Sequence, residues 1–187
     1  WLLGITLVKL SNYQEYGVYN AAMQWYVIIL FIPGILRNVI LSHLSNTSNS
    51  SIEYLKKLKI ILIATATITI PPVVLISLFS GYLVDIYGES YLGIEQLITI
   101  VLITAVISSL SNVYNQVYLS LSKNWYMFLA RAFRDLGILI SVFFILRNYN
   151  YSGAMVVSLI SLFFYIIYFL TLAINFHFSK KMEIKNI

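Results

Sequence analysis

Three charged side chains, Arg131, Arg134 and Asp135, fall within five residues of the stretch LARAFRDLGILI (residues 129–140), and their neighbours are mostly apolar. On the forgiving insertion scale a charge at the bilayer centre costs about 2.5–3.5 kcal/mol. Pairing one arginine with Asp135 leaves one cation over, and the planar fork of a guanidinium matches the oxygens of a phosphate. Arg131 and Asp135 are i,i+4 neighbours on a helix, Arg134 adjoins them, and Asn124 and Ser141 extend the same arc. No nucleophile stands beside a base, so the sequence predicts no catalytic residue. His43 and His177 lie far apart beside polar residues and read as interfacial histidines rather than metal ligands. Neither a metal nor a cofactor is expected.

The elements that carry these charges must be membrane helices. Of 187 residues 60% are hydrophobic and 10% charged, with a mean hydropathy of +0.85, values outside the range of soluble domains. There is no cysteine, which excludes disulfides and thiolate metal sites. The opening WLLGITLVKL has no charged leader region or cleavage site and is too short to cross about 30 Å of hydrocarbon, so it reads as the end of a helix that starts upstream.

Five full spans follow, expected over 17–41, 59–83, 94–121, 125–146 and 153–176, each exceeding the roughly 20 residues a crossing needs. The whole chain, 1–187, is thus read as one all-α, polytopic transmembrane bundle of about six helices, the first truncated. Its links are short, and alternate links face opposite sides. One side collects Lys56, Lys57, Lys59, Lys123, Lys180, Lys181 and Lys185; the other holds only Lys9 and Arg147, alongside Glu15, Asp85, Glu89 and Glu95. The positive-inside rule places the lysine-rich side and the C-terminus in the cytoplasm. The net charge of +5 follows from this asymmetry, and with no basic groove interleaved with aromatics a nucleic-acid partner is not expected.

Three spans carry polar stripes at helical spacing. On 94–121, Ser108, Ser109, Ser111, Asn112, Asn115, Gln116, Ser120 and Ser122 fall on one half, while Ile107, Leu110, Val113, Val117 and Leu121 fall on the other. Lipid cannot solvate amides, so the polar half must meet other helices, as interhelical glue, or water, as a cavity wall. On 17–41, Asn20, Gln24, Asn38 and Ser42 share a face, with a kink expected at Pro33 and a further bend at Pro71–Pro72 in the next span. Ser158, Ser161, Tyr165 and Tyr168 align on the last span.

Depth separates the three central charges. Arg131 lies about 10 Å in from Asn124, within reach of the interface by snorkelling; Arg134 and Asp135 lie about 15 Å deep, and an aspartate is too short to escape. A water-filled or anion-facing cavity is favoured over a purely structural ion pair. Arg37 sits one turn from the cytoplasmic end of its helix, and its tilt points inward.

Two local patterns resemble a known family. YGVYNAAMQWYVIILFIPGILRNVILSHLS (residues 16–45) and PPVVLISLFSGYLVDIYGESY (residues 71–91) are similar to the second half of polysaccharide flippases, the O-antigen and capsule repeat-unit translocases of the multidrug/oligosaccharidyl-lipid/polysaccharide exporter superfamily. The resemblance implies a two-lobed bundle of a dozen or more helices around an alternating-access cavity. This chain would be most of the second lobe, lacking the N-terminal lobe. It also implies a transporter of the bacterial inner membrane, not an enzyme, that flips undecaprenyl-pyrophosphate-linked oligosaccharide, with a coupling ion possible. Arg131, Arg134 and Arg37 are then candidates for the pyrophosphate, with Asp135 at the same substrate site as the partner of one arginine, and Asn112, Asn115, Gln116, Tyr165 and Tyr168 for sugars. The motif ARAFRD is not general in the family, so its role rests on depth and charge alone.

An ion-coupled drug exporter of the same superfamily is the alternative within transport, although a drug cation would want an unpaired carboxylate and Asp135 is flanked by arginines. A membrane polymerase or glycosyltransferase acting on lipid-linked sugars is the alternative from another class; it would want a large extramembrane loop with catalytic groups. A purely structural membrane subunit would not need three polar stripes. The topology is directly testable in a chain without native cysteines. A cysteine at Ser48 should be shielded from a membrane-impermeant thiol reagent in intact cells and one at Ser90 labelled; the reverse pattern would overturn the orientation.

Overall fold

The computed structural model describes residues 2–45 and 51–185. Among these residues every regular element is helical: α1 (Leu2–Leu10), α2 (Tyr13–Ser45), α3 (Ser51–Leu78), α4 (Gly81–Tyr87), a 3₁₀ turn (Glu89–Tyr91), α5 (Ile94–Ser120), α6 (Asn124–Asn148) and α7 (Gly153–Lys185). Seven α-helices therefore stand where the sequence predicts six. The difference arises in the span expected over 59–83, which ends at Leu78. There Ser80 donates to the Ser77 carbonyl from its hydroxyl (2.9 Å) and its amide (3.4 Å), and the chain restarts as α4. Gly88 and Gly93, at φ 88° and 92°, then turn it into α5 in a conformation that other residues rarely adopt. Pro33 and Pro71–Pro72 are carried inside continuous α2 and α3. Ser48 lies outside the described residues.

Four helices, α2, α3, α5 and α7, are long and apolar enough to cross a membrane, which makes this a multi-pass membrane protein. At 25 residues α6 has the length, but its central charges set it apart in composition. Its packing runs the same course as its neighbours. Arg134 meets Tyr165 and Tyr168 of α7, while Val142 and Leu146 share a cluster with Val157. Higher numbers on α6 thus meet lower numbers on α7, so the two are antiparallel. By the same logic α5 is parallel to α7, since Tyr118 bonds Leu172 and Asn175 whereas Ser108 shares Tyr26 with Tyr165.

Loops consequently alternate between two ends, as the lysine asymmetry requires. At one end Glu15 Oε2 accepts from the Ser152 hydroxyl (2.8 Å) and the Ala154 amide (2.9 Å), and Gln14 donates to the Ser90 carbonyl (3.4 Å). Gly153 is pressed there so closely that a Cβ would lie 2.5 Å from Leu7 Cδ1. At the other end Tyr54 pairs with Ser120 (2.7 Å), and Tyr118 stacks on Tyr126 with ring centroids 5.1 Å apart.

Helix α5 is the hub. Of its most apolar stretch 61% is buried, against 17%, 17% and 22% for α2, α3 and α7. Both halves of α5 are covered: Val113 and Val117 are as buried as Ser109 and Asn115. A helix surrounded by other helices buries both halves, and its serines satisfy themselves by bonding carbonyls of their own helix (Ser109 to Val106, 2.7 Å; Ser111 to Ile107, 2.8 Å).

Close approach of α6 to α7 depends on Gly137, where a Cβ would overlap the Phe164 ring. Overpacking of this kind costs about 1–3 kcal/mol. Gly137→Ala should lower the thermal unfolding midpoint of the purified protein in detergent, and adding Phe164→Leu should recover part of the loss. An unchanged midpoint in the single variant would show that Phe164 moves aside at no cost.

Candidate functional site

The middle of the bundle holds a polar network built from four helices. On α6, Arg134 Nε donates to Asp135 Oδ1 at 2.8 Å, and a terminal guanidinium nitrogen lies 2.7 Å from the same oxygen. The guanidinium is stacked between two α7 rings, 4.4 Å from the centroid of Tyr165 and 4.7 Å from that of Tyr168. Tyr165 and Tyr168 are three residues apart on α7, so both rings project from one face, and each carries a hydroxyl onward. The Tyr26 hydroxyl of α2 lies 3.3 Å from the Tyr165 hydroxyl and donates to Ser108 Oγ of α5 at 2.9 Å. The Tyr168 hydroxyl donates to Asn115 Oδ1, whose amide donates to Asn112 Oδ1 at 3.2 Å. One charge on α6 is thereby tied through aromatic faces and hydroxyls to α2, α5 and α7.

Arg134 is ten residues from the start of α6, about 15 Å along the axis, and it meets α7 at Tyr165 and Tyr168, near the middle of that helix. Its side chain is only 12% exposed, whereas that of Asp135 is 56% exposed on the surface of the bundle. The pairing differs from the i,i+4 geometry: Asp135 is held by the adjacent Arg134, because the stacked tyrosines hold that guanidinium beside it. Arg131, left over, is exposed on the outer face of α6 with no acidic partner among the described residues.

The remaining candidates divide in the same way. Asn115 and Gln116 are each 3% exposed and Asn112 is half-buried, so these amides lie within the helix packing. Tyr168 is buried and bonded to Asn115. On α2, Arg37, Asn20, Gln24, Asn38 and Ser42 are all exposed. Nothing brings Arg37 into the Arg134 network. Tyr26 and Ser108 complete the network and were not singled out as site residues from sequence. The available signal was a tyrosine in mid-span, where interfacial anchoring does not explain it.

Beneath Asp135 lies a cavity of about 170 Å³ lined by Tyr26, Thr104, Ser158, Ser161 and Tyr165 among others. Ser158 Oγ is buried there without a hydrogen-bond partner among the described residues. The cavity is lined by apolar side chains as well, Leu3, Met23, Val101 and Ile138 among them, and the Ser158 hydroxyl is the kind of group an ordered water satisfies.

Compared with protein-family models, with curated proteins and with solved structures, the chain matches none.

Because Arg134 and Asp135 neutralise each other at mid-depth, removing one should harm the protein more than removing both. Arg134→Ala leaves Asp135 without its counter-ion, and Asp135→Ala leaves the mostly buried guanidinium without its own. The expected result is reduced folded yield and a lowered midpoint in detergent, with recovery in Arg134→Ala/Asp135→Ala. A double variant as impaired as the sum of the singles would mean that the pair is not coupled.

Proposed function

We propose that this chain forms one lobe of a transporter that flips lipid-linked oligosaccharide repeat units across the bacterial inner membrane, its lysine-rich end in the cytoplasm. One observation carries the reading. At depths where lipid would offer no hydrogen bonds, the outer surface of the bundle displays Arg37, Arg131, Asp135, Asn20, Gln24 and Asn38. The arginines are long enough to snorkel, but Asp135 and Gln24 are too short to escape and hydrocarbon cannot satisfy them, so this surface faces a polar compartment inside the membrane. Such a compartment, walled by this bundle and a second lobe, is what passage of a glycan and a diphosphate requires. The resemblance of residues 16–45 and 71–91 to polysaccharide flippases points to the same class of cargo.

Within this reading the arginines divide their labour. Arg134 is already engaged by Asp135 and two tyrosine rings, and acts as a structural post that holds the wall. Arg131 is exposed, uncompensated and one turn away, and is the cation that meets the diphosphate, with Arg37 a second at similar depth on α2. The engagement of Asp135 also weighs against a drug-cation exporter, whose cargo would need that carboxylate free.

Arg131→Ala in the whole protein should reduce surface polysaccharide several-fold while membrane abundance stays at the wild-type level. Arg131→Lys should be intermediate, since it keeps the charge and loses the fork. Normal polysaccharide in Arg131→Ala at normal abundance would remove Arg131 from the transport path.

A further inference from the structure

The amides and tyrosines that the sequence offers as sugar contacts are consumed within the bundle: Asn115 and Tyr168 bond each other, and Gln116 is buried. A different surface meets the requirements of a glycan. Between α1 and α2, at the end of the bundle that carries Glu15 and Ser152, lies a cavity of about 650 Å³. That is within the range of small-molecule sites, about 300–1,000 Å³. Tyr13, Tyr16 and Tyr19 line it at intervals of three residues, with Asn20 beside them, Leu3, Ile5, Val8 and Met23 as an apolar floor, and Lys9 as the one charged lining residue among the described residues.

Two features separate this cavity from an ordinary interfacial belt of tyrosines. The first is depth: Asn20 lies about 10 Å along α2 from Tyr13, and Gln24 one turn further, both exposed. A belt at headgroup level explains Tyr13, which is 80% exposed, but not the exposed amides two and three turns further along α2. The second is composition. Flat aromatic faces suit the C–H faces of a pyranose, an amide offers both donor and acceptor to sugar hydroxyls, and an ammonium suits a carboxylate or phosphate substituent. Gly4 keeps the cavity open: a Cβ there would stand 3.0 Å from the Tyr16 ring.

We infer that the α1–α2 cavity is a glycan subsite that takes an acidic sugar, with Tyr13 and Tyr16 as stacking platforms, Asn20 on the hydroxyls and Lys9 on the acidic substituent. This deepens the proposed function and rests on it, since it names the part of the cargo that this end of the lobe would hold.

The test uses the whole protein in lipid nanodiscs, with a hyaluronan tetrasaccharide as the acidic probe and a chitin tetrasaccharide as the neutral one. Binding is read by saturation-transfer difference NMR and titration. The wild type should prefer the acidic probe, and Lys9→Gln should erase the preference while retaining the neutral affinity. Tyr16→Ala and Tyr13→Ala should each weaken both probes, by about tenfold for a stacked ring, whereas Tyr16→Phe should bind as wild type. Tyr13 is so exposed that its loss leaves folding intact, which an unchanged unfolding midpoint would check. If glycans bind but none of these substitutions alters affinity, the subsite is wrong and the flippase reading stands. If neither probe binds, the subsite is overturned; if Arg131→Ala also leaves surface polysaccharide unchanged, the flippase reading falls with it.

Discussion

Hydrocarbon offers no hydrogen bonds and little solvation for charge, and the arrangement around Arg134 follows from that constraint. A guanidinium at mid-depth needs a counter-ion, donors' partners and a cover, and it finds all three locally: Asp135 supplies the charge, and Tyr165 and Tyr168 supply π faces. The tyrosine hydroxyls, themselves intolerable in lipid, are then passed to Tyr26, Ser108 and Asn115. Each group solves the problem of the one before it, and the chain of solutions ties α2, α5, α6 and α7 together at one level.

The hub position of α5 is the second consequence. A helix with two asparagines, a glutamine and several serines cannot face lipid, so it goes to the centre, where Tyr26, Tyr54 and Tyr168 reach it from three neighbours. Surrounding it requires close packing elsewhere. Gly137 under Phe164 lets α6 approach α7, and Gly153 under Leu7 and Ser11 seats the start of α7 against α1. What the centre cannot absorb is left on the outer surface, and those residues, Arg131 and the α2 amides above all, carry the functional reading.

Much of the fold was legible beforehand. The apolar runs, the short polar links and the lysine asymmetry specify a helical bundle with alternating loop ends, because bilayer thickness and the hydration of charge act on sequence alone. The helix count was not legible at 79–83. There the apolar run continues past a turn that Ser80 closes onto the Ser77 carbonyl, and hydropathy does not register a change of direction.

The candidate site divides along a similar line. Sequence by itself determined how far along their helix Arg131, Arg134 and Asp135 lie, since helical rise and chain position suffice for that. It also determined that polar stripes exist on three spans. Only the tertiary structure decided which stripe faces which neighbour: the α5 amides turn inward, the α2 amides outward, and Asp135 pairs with Arg134 rather than Arg131. The physical reason is that periodicity fixes which residues share a face of a helix, whereas the rotation of that helix about its axis is set by the groups other helices bring to it. Tyr165 and Tyr168, arriving from α7, make Arg134 an internal post and leave Arg131 outside.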